Sequence, residues 1–342
     1  MAGKDGKKTR RQSLWGHTTI GGGFLLSDFT DDMPSSAGQI LMTGKESAIL
    51  RTILYADIFQ HAPTVQQCHE FLLTSAPCAY ETFLATLNSS TDLRSALARR
   101  NGCLAIVGRE CLFELRQQRD QDAAGLWRRA RRGMRYFAAL PFVRMVAVSG
   151  ALAMNSPRST LDDVDLLLVT RPGRVWIVRT VCVQLVRALN LSGVRFCPNY
   201  LLSEDALVQR RRDLFTAHEV AHLIPMAGWH TYRRFCLANE WVSGFLPNVR
   251  LPRQAGLQCG DARDGLVARA VSRLLGGRAG DALDRWRERR ERRWLPPEPG
   301  RSDPAAELGR HVLKGHFDDH GSGILREYAA RLKRFGLEDH TA

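Results

Sequence analysis

No stretch of this 342-residue chain stays apolar for the ~20 positions that a bilayer-crossing helix needs, so no membrane partner is expected. A cysteine framework is missing too. The eight cysteines (68, 78, 103, 111, 182, 197, 236 and 259) include no C-x-x-C pair, and several sit inside apolar runs, as in Val-Cys182-Val and Phe-Cys197-Pro. That argues against a disulfide scaffold or zinc cage and fits buried thiols in a reducing cytoplasm. Arg10-Arg11-Gln-Ser-Leu-Trp has the opening of a twin-arginine export signal, but the His-Thr-Thr-Ile-Gly-Gly-Gly after it is too polar for the apolar region of a leader. A cytoplasmic location is the expectation.

Acid is in deficit. Asp and Glu total 35 against 49 Lys and Arg, a formal charge of +14. Such an excess suits nucleic acid, a nucleotide or an anionic surface, and it equally suits an arginine-rich proteome. The 44% hydrophobic and 25% charged content are those of a globular protein long enough for two or three domains.

Four segments follow from the patterning. Residues 1–44 hold Lys4, Lys7, Lys8, Arg10 and Arg11, then Gly21 to Gly23, with no sustained period, and read as a mobile basic tail. In residues 45–117, Ile49, Leu50, Ile53, Leu54 and Ile58 recur at helical spacing. Thr64 caps a second helix carrying Val65, Cys68, Phe71 and Leu72, and a third carries Phe83, Leu84 and Leu87. Cys103 to Val107 and Cys111 to Leu115, either side of Gly108, read as a β-hairpin. Helices followed by a hairpin resemble a winged helix-turn-helix. The third helix, Ala79 to Leu87, carries no Arg or Lys, so it lacks phosphate attraction and guanine recognition; protein contact or packing suits it better than DNA reading.

Residues 118–205 form the expected core. The segment leading into it, 116 to 140, is amphipathic, with Arg116, Arg119, Arg128, Arg129, Arg131, Arg132 and Arg135 interleaved with Leu126, Trp127, Met134 and Phe137. Residues 206–342 read as mainly helical, with a second basic cluster from Arg285 to Arg293. Both basic helices are most simply solvated faces, and both are candidates for nucleic-acid contact.

Chemistry concentrates between Met145 and Thr170. An apolar run ends in Ser149-Gly150, and a second begins with Asp163 and Asp165. Strand side chains alternate between faces, so these two carboxylates share one, while Val164, Leu166 and Leu168 point the other way. Paired acids with no cation on their own strand repel unless a cation neutralises them. Mg²⁺ (or Mn²⁺), with nucleotide phosphates as co-ligands, is the expected solution. Gly150 lets backbone approach a phosphate closely, and the helix it opens directs amides at anions.

Ser149-Gly150-Ala151, eleven intervening residues, then Asp163-Val164-Asp165-Leu166 resembles the signature of the DNA polymerase beta-like nucleotidyltransferase superfamily. The long form, with a winged-helix-like region before and a helical region after, resembles a bacterial branch of it. So do Cys197-Pro-Asn-Tyr-Leu-Leu-Ser, Asp213-Leu-Phe-Thr-Ala, Asn239-Glu-Trp-Val and Phe245-Leu-Pro-Asn. The resemblance implies an α+β or α/β protein with a small mixed-sheet core. It implies Asp163 and Asp165 as catalytic metal ligands, with Ser149, Gly150 and Ala151 at the phosphates of a nucleoside triphosphate (NTP); proximity in sequence adds Arg174, with Arg171 and Arg179 as alternatives, at the same phosphates. The implied reaction transfers a nucleoside monophosphate to a small molecule, a protein or an RNA end, with release of pyrophosphate.

Two departures stand out. The usual Gly-Ser is Gly150-Ala151, and the strand expected to carry a third acid, Val194 to Leu202, offers Asn199 instead. The alternative is therefore a domain that binds nucleotide without turnover, or a DNA- or protein-binding scaffold. A rival motif is His218-Glu219-Val-Ala-His222, which is similar to the zinc-binding helix of metallopeptidases, with Glu240 as a third candidate ligand.

Overall fold

The computed structural model of the chain describes residues 42–190, 193–252, 265–293, 309–314 and 320–338. The expected basic tail lies almost wholly outside them. Chain order begins with α1 (Gly44–Ile58), α2 (Val65–Glu70), α3 (Tyr80–Ser89) and α4 (Thr91–Ala96), followed by β1 (Leu97–Arg100) and β2 (Cys103–Ile106). Thr43 and Thr64 start α1 and α2 with reciprocal capping boxes closed by Glu46 and Gln67.

The hairpin differs from the sequence expectation. Its turn is Asn101-Gly102, with φ of +50° and +74°, the chirality that a tight two-residue hairpin requires. Cys111 to Leu115 is not its second strand but the start of α5 (Cys111–Ala138). Leu112, Arg119, Ala123, Leu126, Ala130, Met134 and Phe137 form one buried stripe along that helix, and the longer period wins over a short apolar run. At 28 residues α5 is about 42 Å long and links the N-terminal helices to the sheet. Gly133 allows the contact: a Cβ there would collide with the ring of Phe196. Arg128, Arg129, Arg131, Arg132 and Arg135 are exposed, the solvated face the pattern implies.

The central region runs β3 (Val143–Val148), α6 (Gly150–Ala153), β4 (Val164–Thr170), α7 (Val175–Asn190) and β5 (Phe196–Ser203). Then come α8 (Leu214–Ala221), β6 (Ile224–Ala227) and α9 (Trp229–Ala238), with a 3₁₀ turn at Glu240–Gly244. The chain closes with α10 (Leu266–Leu274), α11 (Arg278–Arg292), β7 (Val312–Lys314) and α12 (His320–Arg334). The five strands order as β6-β3-β4-β5-β7. Only β4 and β5, joined through α7, are parallel; the other neighbours are antiparallel. This is a small mixed sheet in a mixed α/β protein.

Residues 206–342 are thus not purely helical, because they supply both edge strands. At four and three residues, β6 and β7 are too short for alternation to announce them. Nor is this region a separate body from the first helices. One core cluster joins α1, α2 and α8 with Tyr328 and Leu332 of α12 and with Met145, Ala147, Leu167 and Val169 of the sheet. The opposite sheet face, with Val146, Val148, Val164, Leu166 and Leu168, packs on α5 and α7. Asp57 pins the first layer together: it pairs with Arg109 at 3.0 Å and with Arg331 of α12, its own side chain and that of Arg331 being almost wholly buried. Among the described residues no helix is long and apolar enough to cross a membrane.

Candidate functional site

Strand parity places the two aspartates. Asp165 is the second residue of β4 and Asp163 directly precedes the strand, so both share the parity of Leu167 and Val169. That face is the one covered by α1, α8 and α12. Across from them β3 ends at Val148, and the amide of the next residue, Ser149, donates to the Asp165 carbonyl at 3.0 Å. Gly150 then turns the chain with φ +65°, and a Cβ at that position would run into Asp165 Oδ2. Glycine is required twice over: for the left-handed backbone and for the close approach to the carboxylate. The helix it opens, α6, is a single turn of four residues.

The carboxylates have unequal surroundings. Asp163, more than a third exposed, pairs with Arg195 Nε at 2.8 Å. Asp165 accepts a hydrogen bond from Asn199 Nδ2 at 3.1 Å across the parallel β4–β5 pair, and the Cys197 thiol is a second partner. Burial pushes the Asp165 carboxyl up to about 8, and the negative charges of Asp163, Asp162 and Glu219 add to the push. A carboxyl raised by burial and like charges is the electrostatic deficit that a divalent cation removes. Two carboxylates also match what Mg²⁺ takes from protein when substrate phosphates complete its shell. The donor set therefore fits. Among the described residues no three His, Cys, Asp or Glu converge as a ready-made metal cage.

The structure brings Ser149, Gly150, Ala151, Asp163 and Asp165 to one end of β4 and leaves Arg174 at the other. Arg174 lies beyond Thr170, fully buried, and donates to the carbonyls of Leu275 at 2.9 Å, Gly173 at 2.6 Å and Gly277 at 3.1 Å, and to Asp281. Its guanidinium also lies over the Phe142 ring. These contacts clamp α11 against the start of α7, where Asp284 accepts from the Ile177 amide at 2.9 Å. Sequence proximity suggested a phosphate ligand; the burial makes Arg174 a structural residue.

The histidine motif has its own geometry. His218 lies on α8 and His222 is the residue that caps its end. Their rings stack with near-parallel planes at 5.6 Å, and His222 Nδ1 lies 2.9 Å from the His218 carbonyl, so the two imidazoles do not converge on a common point. Glu219 turns elsewhere and pairs with Lys314 of β7 at 3.7 Å.

Glu219 belongs in sequence to the rival histidine motif; in the fold its charge acts on Asp165. Nothing in the local pattern announces this, because α8 reaches β4 only through tertiary packing. Asn199, noted in sequence only for not being an acid, is the direct partner of Asp165. No family model, curated protein or solved structure matches the chain.

Proposed function

We propose that the Asp163–Asp165 edge binds a divalent cation together with an NTP and transfers a nucleoside monophosphate to an acceptor hydroxyl. The observation that carries this reading is the pair of same-face aspartates packed on the Gly150 turn, with the Asp165 carboxyl pushed up to about 8 by burial and neighbouring acids. Bound Mg²⁺ or Mn²⁺ would supply charge neutralisation and Lewis acidity at the phosphates. Asp163 and Asp165 would hold it. Gly150 lets its turn pack directly on the Asp165 carboxylate, and Asn199 fixes that carboxylate through its hydrogen bond. The acceptor oxygen would form a bond to the α-phosphorus as the α–β anhydride breaks, with the hydroxyl proton passing to a nearby base and pyrophosphate leaving. Glu219 of α8 is an acid from another element whose charge, like those of the adjoining Asp163 and Asp162, reaches Asp165, and it is the candidate for that base.

A second reading has its own support. Asn199 occupies the partner position on β5 where a third acid would give a second metal ligand, and Ala151 lacks the hydroxyl of the usual Gly-Ser. Both favour a protein that holds Mg²⁺·NTP without turning it over. Incubation with each labelled NTP and Mg²⁺, followed for label transfer and pyrophosphate release, separates the two. Transfer lost in Asp163→Asn plus Asp165→Asn supports the enzyme. Tight, Mg²⁺-dependent NTP binding with no release across a broad acceptor panel supports the non-catalytic reading. Salt-sensitive DNA binding that survives loss of both aspartates, with no nucleotide bound, would sink both.

A further inference from the structure

Beside the aspartate edge, on the same sheet face, α1, the segment from His61 to Gln67, α6 and α8 enclose a cleft of about 260 Å³. Its walls are rings. Tyr55 stacks on His218 at 4.4 Å and 18°, His218 lies 5.7 Å from Phe71, and Phe71 stacks on His222 at 4.1 Å and 6°. Two polar atoms of this column, Tyr55 Oη and His218 Nε2, are buried without a hydrogen-bond partner in the protein, on side chains 3% and 9% exposed. Orphaned polar atoms are uncommon in native interiors and signal a missing partner. Both residues line the cleft, and each carries one polar atom that needs a partner.

The charge of the cleft limits what that partner is. Burial holds His218 well below the usual histidine range, and His61 is depressed to about 3, so both rings are neutral at physiological pH. The adjacent guanidiniums are committed. Arg116 donates to the Ala62 carbonyl at 2.7 Å and Gln67 Oε1 at 2.9 Å, and Arg119 donates to the carbonyls of Phe59 and Gln60 at 3.0 and 2.8 Å. An anion would find no counter-charge here. The volume falls just under the ~300–1,000 Å³ of sites for drug-sized ligands, which suits a single one- or two-ring system.

We infer that this cleft takes a neutral, planar nitrogen heteroaromatic ring of nucleobase size, lying against the Tyr55, His218, Phe71 and His222 column and hydrogen-bonded by Tyr55 Oη and His218 Nε2. Its far wall is Ala153, Met154 and Asn155, the residues that follow the Gly150 turn. Gly150, one turn before that wall, packs on Asp165, which puts the cleft beside the aspartates. Assigning the ring to the nucleotide or to its acceptor rests on the proposed function; binding of the ring itself does not.

The test is calorimetric titration of the full chain with adenosine, guanosine, cytidine and uridine, without Mg²⁺. At least one nucleoside is expected to bind. Tyr55→Phe and His218→Asn should each weaken it about tenfold, the loss of one buried hydrogen bond. Asp163→Asn plus Asp165→Asn should leave it unchanged. Competition between that nucleoside and Mg²⁺·NTP assigns the ring to the NTP, and simultaneous binding assigns it to the acceptor. If His218→Asn fails to fold, Tyr55→Phe, which removes only a hydroxyl, decides. The inference is overturned if no nucleoside binds at millimolar concentration, or if binding is indifferent to the Tyr55 and His218 changes. Stoichiometric Zn²⁺ that is lost in His218→Asn would overturn it as well. Absent nucleoside binding with intact Mg²⁺·NTP binding would leave the proposed function standing.

Discussion

Asp57 and Asp165 are both acids set into the same layer of the molecule, and the fold treats them in opposite ways. Asp57, 1% exposed, is held between the guanidiniums of Arg109 and Arg331, which come from the start of α5 and from α12. Asp165 has Asn199 and Cys197 as partners and the like charges of Asp163, Asp162 and Glu219 around it. Where the chain supplies its own counter-ion, the acid joins two regions. Where it gathers further acids instead, the carboxyl holds on to its proton, which the proposed cation would replace. The contrast is between a carboxylate with its counter-ion built into the fold and one without.

The sharpest way to break that contrast is to remove Asp57. Asp57→Ala leaves Arg331, itself 3% exposed, buried without its main partner. Unpairing a buried ion typically costs ~3–5 kcal/mol, the largest effect expected of any substitution considered for this chain. Chemical denaturation should show it as a lower midpoint at constant slope, and Mg²⁺ should not restore it. A loss under about 1 kcal/mol would mean that Asp57 and Asp165 are not the opposites described.

Asp165 should respond to cation in the way Asp57 cannot. Saturating Mg²⁺ with NTP is expected to raise the Tm of the native chain. The gain should approach ~2.7 kcal/mol when ligand reaches a hundred times its Kd. Asp163→Asn plus Asp165→Asn should abolish the shift while leaving the apo fold intact. An equal shift in the double variant would move the cation elsewhere.

The apo protein carries a smaller signature of the same carboxyl. Its folded value of about 8 lies above the ordinary 3.8, so the proton is bound more tightly in the folded state. The stability it lends is complete below about 3.8 and is lost as pH rises through 8. Asp165→Asn cannot lose a proton. At pH 8 it should be more stable than the native chain by about 1–2 kcal/mol once solvent screening is allowed for, with the difference closing toward pH 4. Thermal melts across that range would show it, and parallel profiles would contradict it.

Much of this was legible in the sequence, and the parts that were not share a cause. The capping boxes at Thr43 and Thr64, the long amphipathic α5 and the strand–glycine–strand core around Asp163 and Asp165 all announce themselves through local periodicity or spacing. The failures come from information that is not local. The edge strands β6 and β7 are too short to carry a period, and they exist because the sheet offers them a partner. Arg174 looked available for phosphate because its partners, Leu275, Gly277 and Asp281, come from a distant helix pair. The spacing of His218 and His222 suggested a metal. In the fold their rings stack with Tyr55 and Phe71, residues of the N-terminal helices, which spacing along one helix could not announce.

The smallest effect lies at His61, where the same reasoning runs with the opposite sign. Burial, with the charges of Arg116 and Arg119 contributing, lowers this imidazole from 6.5 to about 3, so the folded state binds its proton less tightly than the unfolded chain. The stability it lends is present above about 6.5 and is lost as pH falls toward 3. Asp165 destabilises on the alkaline side and His61 on the acid side, which narrows the pH range of the apo protein from both ends. His61→Asn keeps a polar group beside Arg116 Nη1, which lies 3.1 Å from His61 Nε2 in the native chain, and removes the titration. Its melts should match the native profile above pH 7 and decline less steeply between pH 6 and 4. Nucleoside binding should hold as far down in pH as the variant stays folded, because His218 is buried and neutral independently of His61. An acid limb equally steep in both proteins would mean that the cleft admits water to His61, so that its ring takes up a proton in the ordinary histidine range instead of being kept neutral by burial.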